Sequence, residues 1–271
     1  VYMRSVPYIQ VPTTLIGQLD SAIGGKTAVD LPQGKNLLGT FYQPRAVFAD
    51  VNFLETLPDR EFNNGLAEMI KYGIIEDESL FRRLEEDMDA IKSRDSGMLL
   101  KMIETCCRIK KSIVEIDERE QGLRRILNFG HTLGHALEAA SDYSLSHGEG
   151  VALGMIAAAR LSVIMNYLPR VESDRVKSVI ARAGLPTSNA RGLPATGAAG
   201  EAERARRRPC QACHRAGPTR FPMPAWLTAL AANPRRGRHP APVAAPRSPR
   251  GPPSPRAQRS GSASPSVSAR R

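Results

Sequence analysis

A short α/β segment, then an all-helical domain, then a disordered tail is the fold class this sequence predicts, and three observations predict it. Apolar residues cluster as strands near the start and switch to helical spacing after residue 58. Prolines and arginines crowd the last stretch: residues 191–271 hold 14 of the 21 prolines, with no Ile and no Tyr. The charge divides at the same place. Residues 1–190 carry 22 Lys+Arg against 25 Asp+Glu, a net of −3, whereas residues 191–271 carry 16 Arg, no Lys and 2 Glu, a net of +14. The formal +11 of the 271-residue chain therefore describes the tail, and the part with a core is mildly acidic.

Taken in order, "VPYIQVP" (6–12) reads as a buried strand, and residues 13–40 as a polar, glycine-rich stretch. "AVFADVNFLETLP" (46–58) reads as a second strand and a turn. Pro58-Asp59 opens a helix in which Phe62, Leu66, Met69 and Ile70 recur at helical spacing. Further helices are predicted at about 77–92, 97–116, 129–141, 147–166 and 171–183, the last ended by Gly184-Leu185-Pro186. No internal repeat is present.

Beyond residue 190 the composition cannot bury enough apolar surface to offset chain entropy, so 191–271 reads as disordered. Sixteen arginines without a lysine fit a GC-rich frame translated past a splice or frame error. The functional alternative is a segment that binds RNA or acidic partners, so nucleic acid is expected at the tail or not at all. "CQACH" (210–214) matches the haem-attachment spacing but sits among prolines and arginines, where chance explains it. Cys106-Cys107 and Cys210/Cys213 form no disulfide framework, which fits a reducing compartment. No apolar run reaches membrane-spanning length. Because "VYMRSVPYIQVP" reads as a strand entered midway, the natural start is expected to precede Val1. The expected compartment is the cytoplasm, or a plastid if a transit peptide has been lost.

Four stretches carry chemistry. In "DSAIGGKTAVDLPQGKNLLG" (20–39) the Gly required six residues before the Lys of a phosphate-binding P-loop is Asp20, so that pattern fails. Lys26 and Lys35 nonetheless stand among small residues where backbone N–H groups can approach an anion. Asn64, Glu68 and Lys71 share a helix face. Such a pair is usually a surface ion pair worth a few tenths of a kcal/mol unless the face is buried. In "LRRILNFGHTLGHALE" (123–138) His131 and His135 stack one turn apart, each behind a glycine, and His147 opens an apolar helix. Any three of Glu68, His131, His135 and His147 would make a catalytic zinc site, and spacing alone does not choose among them.

Together, "QVPTTLIGQLDSAIGGKTAVDLPQGKNLLGTFYQP", "LETLPDREFNNGLAEMIKYG", "DEREQGLRRILNFGHTLGHALE" and "SHGEGVALGM" resemble the 3-dehydroquinate synthase family, in order from Val1 to about Thr187, and the tail matches nothing in it. The resemblance implies a remnant of a Rossmann-like, NAD-binding α/β domain (1–57) and an all-α metal- and substrate-binding domain (58–190), with the active site between them. It implies zinc, or Co2+, held by Glu68, His131 and His147, while His135 faces the phosphate side of the substrate as a proton-transfer group. The implied reaction is an NAD-dependent eliminative cyclisation of 3-deoxy-D-arabino-heptulosonate 7-phosphate, a step of the shikimate pathway. By resemblance, Lys26, Lys71, Lys110, Arg124, Asn36, Asn128 and His135 meet the substrate's carboxylate and phosphate, and Asp20 lies near the reacting hydroxyl and the cofactor.

Thr13, Thr14, Lys35, Phe53, Thr56 and Leu57 fall where the family touches NAD, and Arg4 where an arginine crosses a homodimer interface to the neighbour's phosphate site. The family's glycine-rich pyrophosphate turn would lie before Val1, and its last helices, with another substrate-contacting lysine, give way to the tail. The expectation is a chain that keeps the zinc site but binds NAD weakly and turns over little. Another sugar phosphate cyclase, or a non-catalytic fragment, is the alternative. Substrates without a carboxylate would leave Arg124, Asn128 and Lys110 without purpose.

Overall fold

The computed structural model describes residues 6–31 and 34–188, with backbone alone at 30–31 and 34–37. Arg4, Cys210, Cys213 and the expected disordered stretch 191–271 lie outside the described residues. So do the side chains of Lys35 and Asn36.

Two small sheets precede the helices. Strand β1 (Ile9–Gln10) pairs in parallel with β4 (Ala46–Val47), and β2 (Lys26–Leu31) pairs antiparallel with β3 (Gly34–Phe41), in the register Lys26 to Phe41 and Val29 to Leu38. The parallel β1–β4 ladder is the α/β feature among the described residues. The strand expected to be buried over 6–12 is short and open instead. Val6, Ile9 and Val11 are each more than half exposed, because a two-residue ladder has little to cover its faces. The polar, glycine-rich stretch of 13–40 is a π-helical turn (Gly17–Ser21) followed by the β2–β3 hairpin. Lys26 therefore stands on a strand rather than in a loop that cradles anions.

The helices follow the predicted order: α1 (Asp59–Ile75), α2 (Glu78–Glu86), α3 (Met88–Lys92), α4 (Ser96–Ile116), α5 (His131–Ala140), α6 (His147–Ile164) and α7 (Arg170–Arg182). The single helix expected over 77–92 breaks at Asp87. Side-chain caps set two starts. The Asp77 carboxylate accepts from the N–H groups of Ser79 and Leu80 ahead of α2, and Asp95 accepts from Met98 ahead of α4.

Helix α1 is the centre. Its Phe62, Leu66, Met69 and Ile70 are 0–2% exposed, as helical spacing requires, and each such burial stabilises by about 1.5–3 kcal/mol. It packs against α2, α4, α6 and α7, and α5 lies along α6. Cys106, on α4, is fully buried and Cys107 partly so; burial raises both thiols. No described helix is long and apolar enough to cross a membrane.

Candidate metal and substrate site

The buried face of α1 carries two charges among its apolar residues. Glu68 is 0% and Lys71 1% exposed, and the two form an ion pair. An exposed i, i+3 pair would be worth little; buried, each charge depends on its partners. Burial works against ionising Glu68, but the Lys71 ammonium and His131 hold its carboxyl well below the usual carboxylate range. Burial likewise opposes charge on Lys71, and Asp20 and Glu68 overcome it and raise its pKa. The π-helical turn brings Asp20 in from the other side. Its carboxylate lies 3.4 Å from Lys71 Nζ, accepts from Tyr72 Oη at 3.2 Å and pairs with Lys110 on α4. Lys110 also donates to the Asp20 carbonyl at 2.6 Å. Burial lowers the Lys110 pKa and Asp20 only partly restores it. Asp20, Glu68, Lys71 and Lys110 thus form one chain of alternating charge.

Helices α5 and α6 complete the site because their backbones touch. A Cβ at Gly134 would lie 2.9 Å from the Gly150 carbonyl carbon and 3.0 Å from the Val151 nitrogen. Gly130 caps α5 at φ +80°, a left-handed conformation suited to glycine, and so starts the helix at His131. The two glycines therefore serve helix packing. They answer why each histidine follows a glycine: the bare backbones let α5 lie against α6, with Gly130 at Val151 and Met155 and Gly134 at Gly150. Gly134→Val is expected to lower stability by about 2–3 kcal/mol in denaturant unfolding, because the added carbons meet main chain that cannot move aside. Gly134→Ala should cost less, since alanine's better helix propensity returns up to about 1 kcal/mol.

His131 Nε2 lies 3.3 Å and His147 Nε2 3.2 Å from the same Glu68 oxygen, Oε1. The other ring nitrogens fix the tautomers. His131 Nδ1 is 3.1 Å from the Phe129 carbonyl and His147 Nδ1 is 3.0 Å from the Glu138 carboxylate, both acceptors, so each Nδ1 carries the hydrogen. In neutral imidazoles that leaves two Nε2 lone pairs aimed at a carboxylate oxygen, a donor set that fits a divalent cation. Without one, charge must come from protons. Burial opposes protonation of His147, yet its hydrogen bonds to Glu138 and Glu68 push its pKa up to about 9.

His135, one turn along α5, is exposed, and its ring centroid lies 5.3 Å from that of His131 and 5.7 Å from that of His147. Ligand atoms of Glu68, His131 and His147 lie within 4.8 Å of one another, and so do those of His135, Glu138 and His147.

The remaining expected residues divide. Lys26 and Asn128 meet at Glu120, whose two oxygens take one donor each. Burial raises the Glu120 carboxyl, but its hydrogen bonds to Lys26 and Asn128 prevail and lower it. Arg124, expected to meet a substrate anion, is 1% exposed, and its guanidinium donates to the carbonyls of Gly24, at 2.8 Å, and Glu118. In this structure it fastens the Gly24–Gly25 turn to the segment before the 3-10 turn Leu123–Asn128, because buried donors need acceptors and these carbonyls supply them.

On the cofactor side, Thr14 Oγ1 accepts from Gly17 N–H, Thr13, Phe53 and Thr56 are exposed, and Leu57 is half-buried. Fully buried Gln18 draws these segments together, donating to the carbonyls of Pro12 and Asp50. Sequence reading missed Gln18, Tyr72, Glu120 and Glu138. Only Glu138 left a signal, three residues after His135 on the same helix face.

The architecture is shared with sugar phosphate cyclases. A 2-epi-5-epi-valiolone synthase from Streptomyces hygroscopicus subsp. jinggangensis, solved with NAD+ and Zn2+ bound, matches with TM-score 0.68 and 31% identity, over 75% of this chain and 58% of that one. A 2-deoxy-scyllo-inosose synthase complexed with carbaglucose-6-phosphate, NAD+ and Co2+ matches with TM-score 0.66 and 30% identity, over 75% and 55%. Within that class the chain belongs to the 3-dehydroquinate synthase family. Residues 1–64 match the family's N-terminal part and residues 65–201 its C-terminal part. That match runs past Thr187 and takes in residues 191–201, so the first residues of the basic stretch belong to the family after all. The 3-dehydroquinate synthase of Desulforamulus reducens is 53% identical over 193 residues, 71% of this chain and 54% of that protein. The Acidithiobacillus ferrooxidans protein of the same name is 53% identical over 188 residues, 69% and 52%. The chain spans about half the length of these relatives.

Proposed function

We propose that this chain carries the metal- and substrate-side part of a 3-dehydroquinate synthase, a lyase converting 3-deoxy-D-arabino-heptulosonate 7-phosphate to 3-dehydroquinate and phosphate. The observation that supports it most is the approach of two imidazole Nε2 atoms and one buried carboxylate, next to the Lys71–Asp20–Lys110 chain. In this reading residues 58–190 are the metal and substrate domain, and 1–57 belong to a Rossmann-like cofactor domain.

Glu68, His131 and His147 would hold Zn2+ or Co2+, which when bound supplies Lewis-acid polarisation of substrate hydroxyls. NAD, met by Thr13, Thr14, Asp20, Lys35, Phe53, Thr56 and Leu57, supplies the reversible oxidation of one of them. The protein's own part is to place charge. Lys71 stays cationic through Asp20 and Glu68 and so presents a fixed ammonium beside the reacting hydroxyl. Asp20, held by Lys71, Lys110 and Tyr72, offers a carboxylate oxygen whose direction is set before substrate arrives. Lys26, Asn36, Asn128 and His135 are assigned to the substrate's anionic groups, with His135 exchanging a proton at a ring nitrogen on the phosphate side. Arg124 is assigned to the same groups, since its guanidinium carries five N–H donors and the Gly24 and Glu118 carbonyls take two of them. Arg4 is assigned to the neighbour's site in a homodimer. The identities near 53% favour this substrate over the neutral sugar phosphates of the wider class.

The test is release of inorganic phosphate by the zinc-loaded chain with NAD present. Slow release from 3-deoxy-D-arabino-heptulosonate 7-phosphate, in keeping with weak NAD binding, none from glucose 6-phosphate, and loss of the signal in Glu68→Gln are expected. Release from glucose 6-phosphate alone would transfer the chain to the neutral-substrate cyclases.

A further inference from the structure

We infer that Glu138 is a positioning residue for the metal site: its buried carboxylate holds the His147 ring so that Nε2 faces the cation. The inference rests on the metal reading of Glu68, His131 and His147. Glu138 is 2% exposed on α5, and its Oε1 lies 3.0 Å from His147 Nδ1, across the α5–α6 contact. A buried carboxylate without a strong donor is costly, and the imidazole N–H is a donor within reach.

The local sequence makes room for that contact. A Cβ at Gly150 would come within 3.2 Å of the Glu138 Cγ and 3.4 Å of its Oε1, so glycine at the first turn of α6 leaves the path to His147 open. His131 is oriented by a backbone carbonyl, an acceptor no substitution removes. His147 lies at a helix start and keeps 30% of its side chain exposed. Its ring has no such main-chain tether among the hydrogen bonds of its Nδ1, and the carboxylate supplies the equivalent. Glu138 thus does for the second imidazole what the Phe129 carbonyl does for the first: it fixes the tautomer, restrains rotation about the ring axis and makes Nε2 a stronger electron-pair donor.

The same atoms could instead hold a second ion with His135, and the experiment separates the two readings. Zn2+ affinity by chelator competition, metal content per chain and the visible spectrum of the Co2+-loaded full chain would be measured for the wild type, Glu138→Gln, Glu138→Ala, Glu68→Gln and His147→Ala. The expected result is one metal per chain in the wild type. Glu138→Ala should weaken Zn2+ binding by about 10–100-fold and shift the Co2+ bands, with the circular dichroism unchanged. Glu138→Gln, which keeps a carbonyl acceptor for Nδ1–H, should fall between. Wild-type affinity and an unshifted Co2+ spectrum in Glu138→Ala, with Glu68→Gln and His147→Ala losing metal, would overturn the role of Glu138 and leave the metal site standing. Two metals in the wild type and one in Glu138→Ala would also overturn it, in favour of a second ion. Wild-type metal binding by Glu68→Gln and His147→Ala would remove the underlying site as well.

Discussion

Replacing His131 by Ala is expected to cost the protein its metal, weakening Zn2+ binding by more than about 100-fold. That is the upper end of what loss of a mere supporting partner does, and here a ligand itself goes. Equilibrium dialysis with metal analysis reads it directly. The reason lies in the three-helix construction. Glu68 comes from α1, His131 from α5 and His147 from α6, so no neighbour on the same helix can take the vacant place without leaving its own contacts. His135 is the obvious substitute, yet it sits one turn further along α5, and its cluster contains Glu138 rather than Glu68. Near-normal Zn2+ binding by His131→Ala would show that His135 is the ligand and that the assignment within the pair is reversed.

Lys71→Met is expected to destabilise the metal-free protein by about 3–5 kcal/mol. It removes the ammonium shared by two carboxylates and leaves Glu68 0% exposed beside a thioether. Asp20 keeps Lys110 and Tyr72, so most of the cost falls on Glu68. Denaturant unfolding in excess chelator measures it. Adding Glu68→Gln to Lys71→Met should recover part of the loss, since a neutral amide needs no counter-ion. The pH dependence has a definite sign. The Glu68 carboxyl is held below its ordinary value of 4.5, so its contribution is present above that value and disappears as pH falls through the lowered one. Lys71→Met should flatten that acid limb. A loss below about 1 kcal/mol would mean that solvent reaches Glu68 in solution.

Much of the helical half was legible in the chain. The period of Phe62, Leu66, Met69 and Ile70, with Pro58-Asp59 ahead of them, locates α1, and all four residues are buried. What could not be read was tertiary. Two histidines at i and i+4 share a face, so spacing leaves both eligible. The structure sets His131 Nε2 3.3 Å from Glu68 Oε1 and His135 beside Glu138 and His147, a difference of tertiary surroundings that spacing does not carry. Arg124 shows the same limit: its charge was legible, but not that its guanidinium donates to two main-chain carbonyls 6 and 100 residues away. The hairpin was missed because the glycines of residues 24–39 drew the reading toward loops, although Thr27 and Val29 alternate with smaller and polar residues as a strand would. Glu120 lay hidden in the run "DERE", where nothing separates one acid from its neighbours.

The contact of α5 with α6 through main chain at Gly134 and Gly150 has a consequence for how the site tolerates change. Where helices are held apart by large side chains, drift in core volume moves the helices and everything mounted on them. Here the spacer at this crossing is backbone, whose thickness is the same whatever residues surround it. Leu133, Leu137, Leu145 and Leu153 nearby can therefore be exchanged for other apolar residues while the distance from His131 to His147 stays fixed. The proposed coordination geometry would thus be insulated from the interior it is embedded in, so that variation around it leaves the placing of the two imidazoles unchanged.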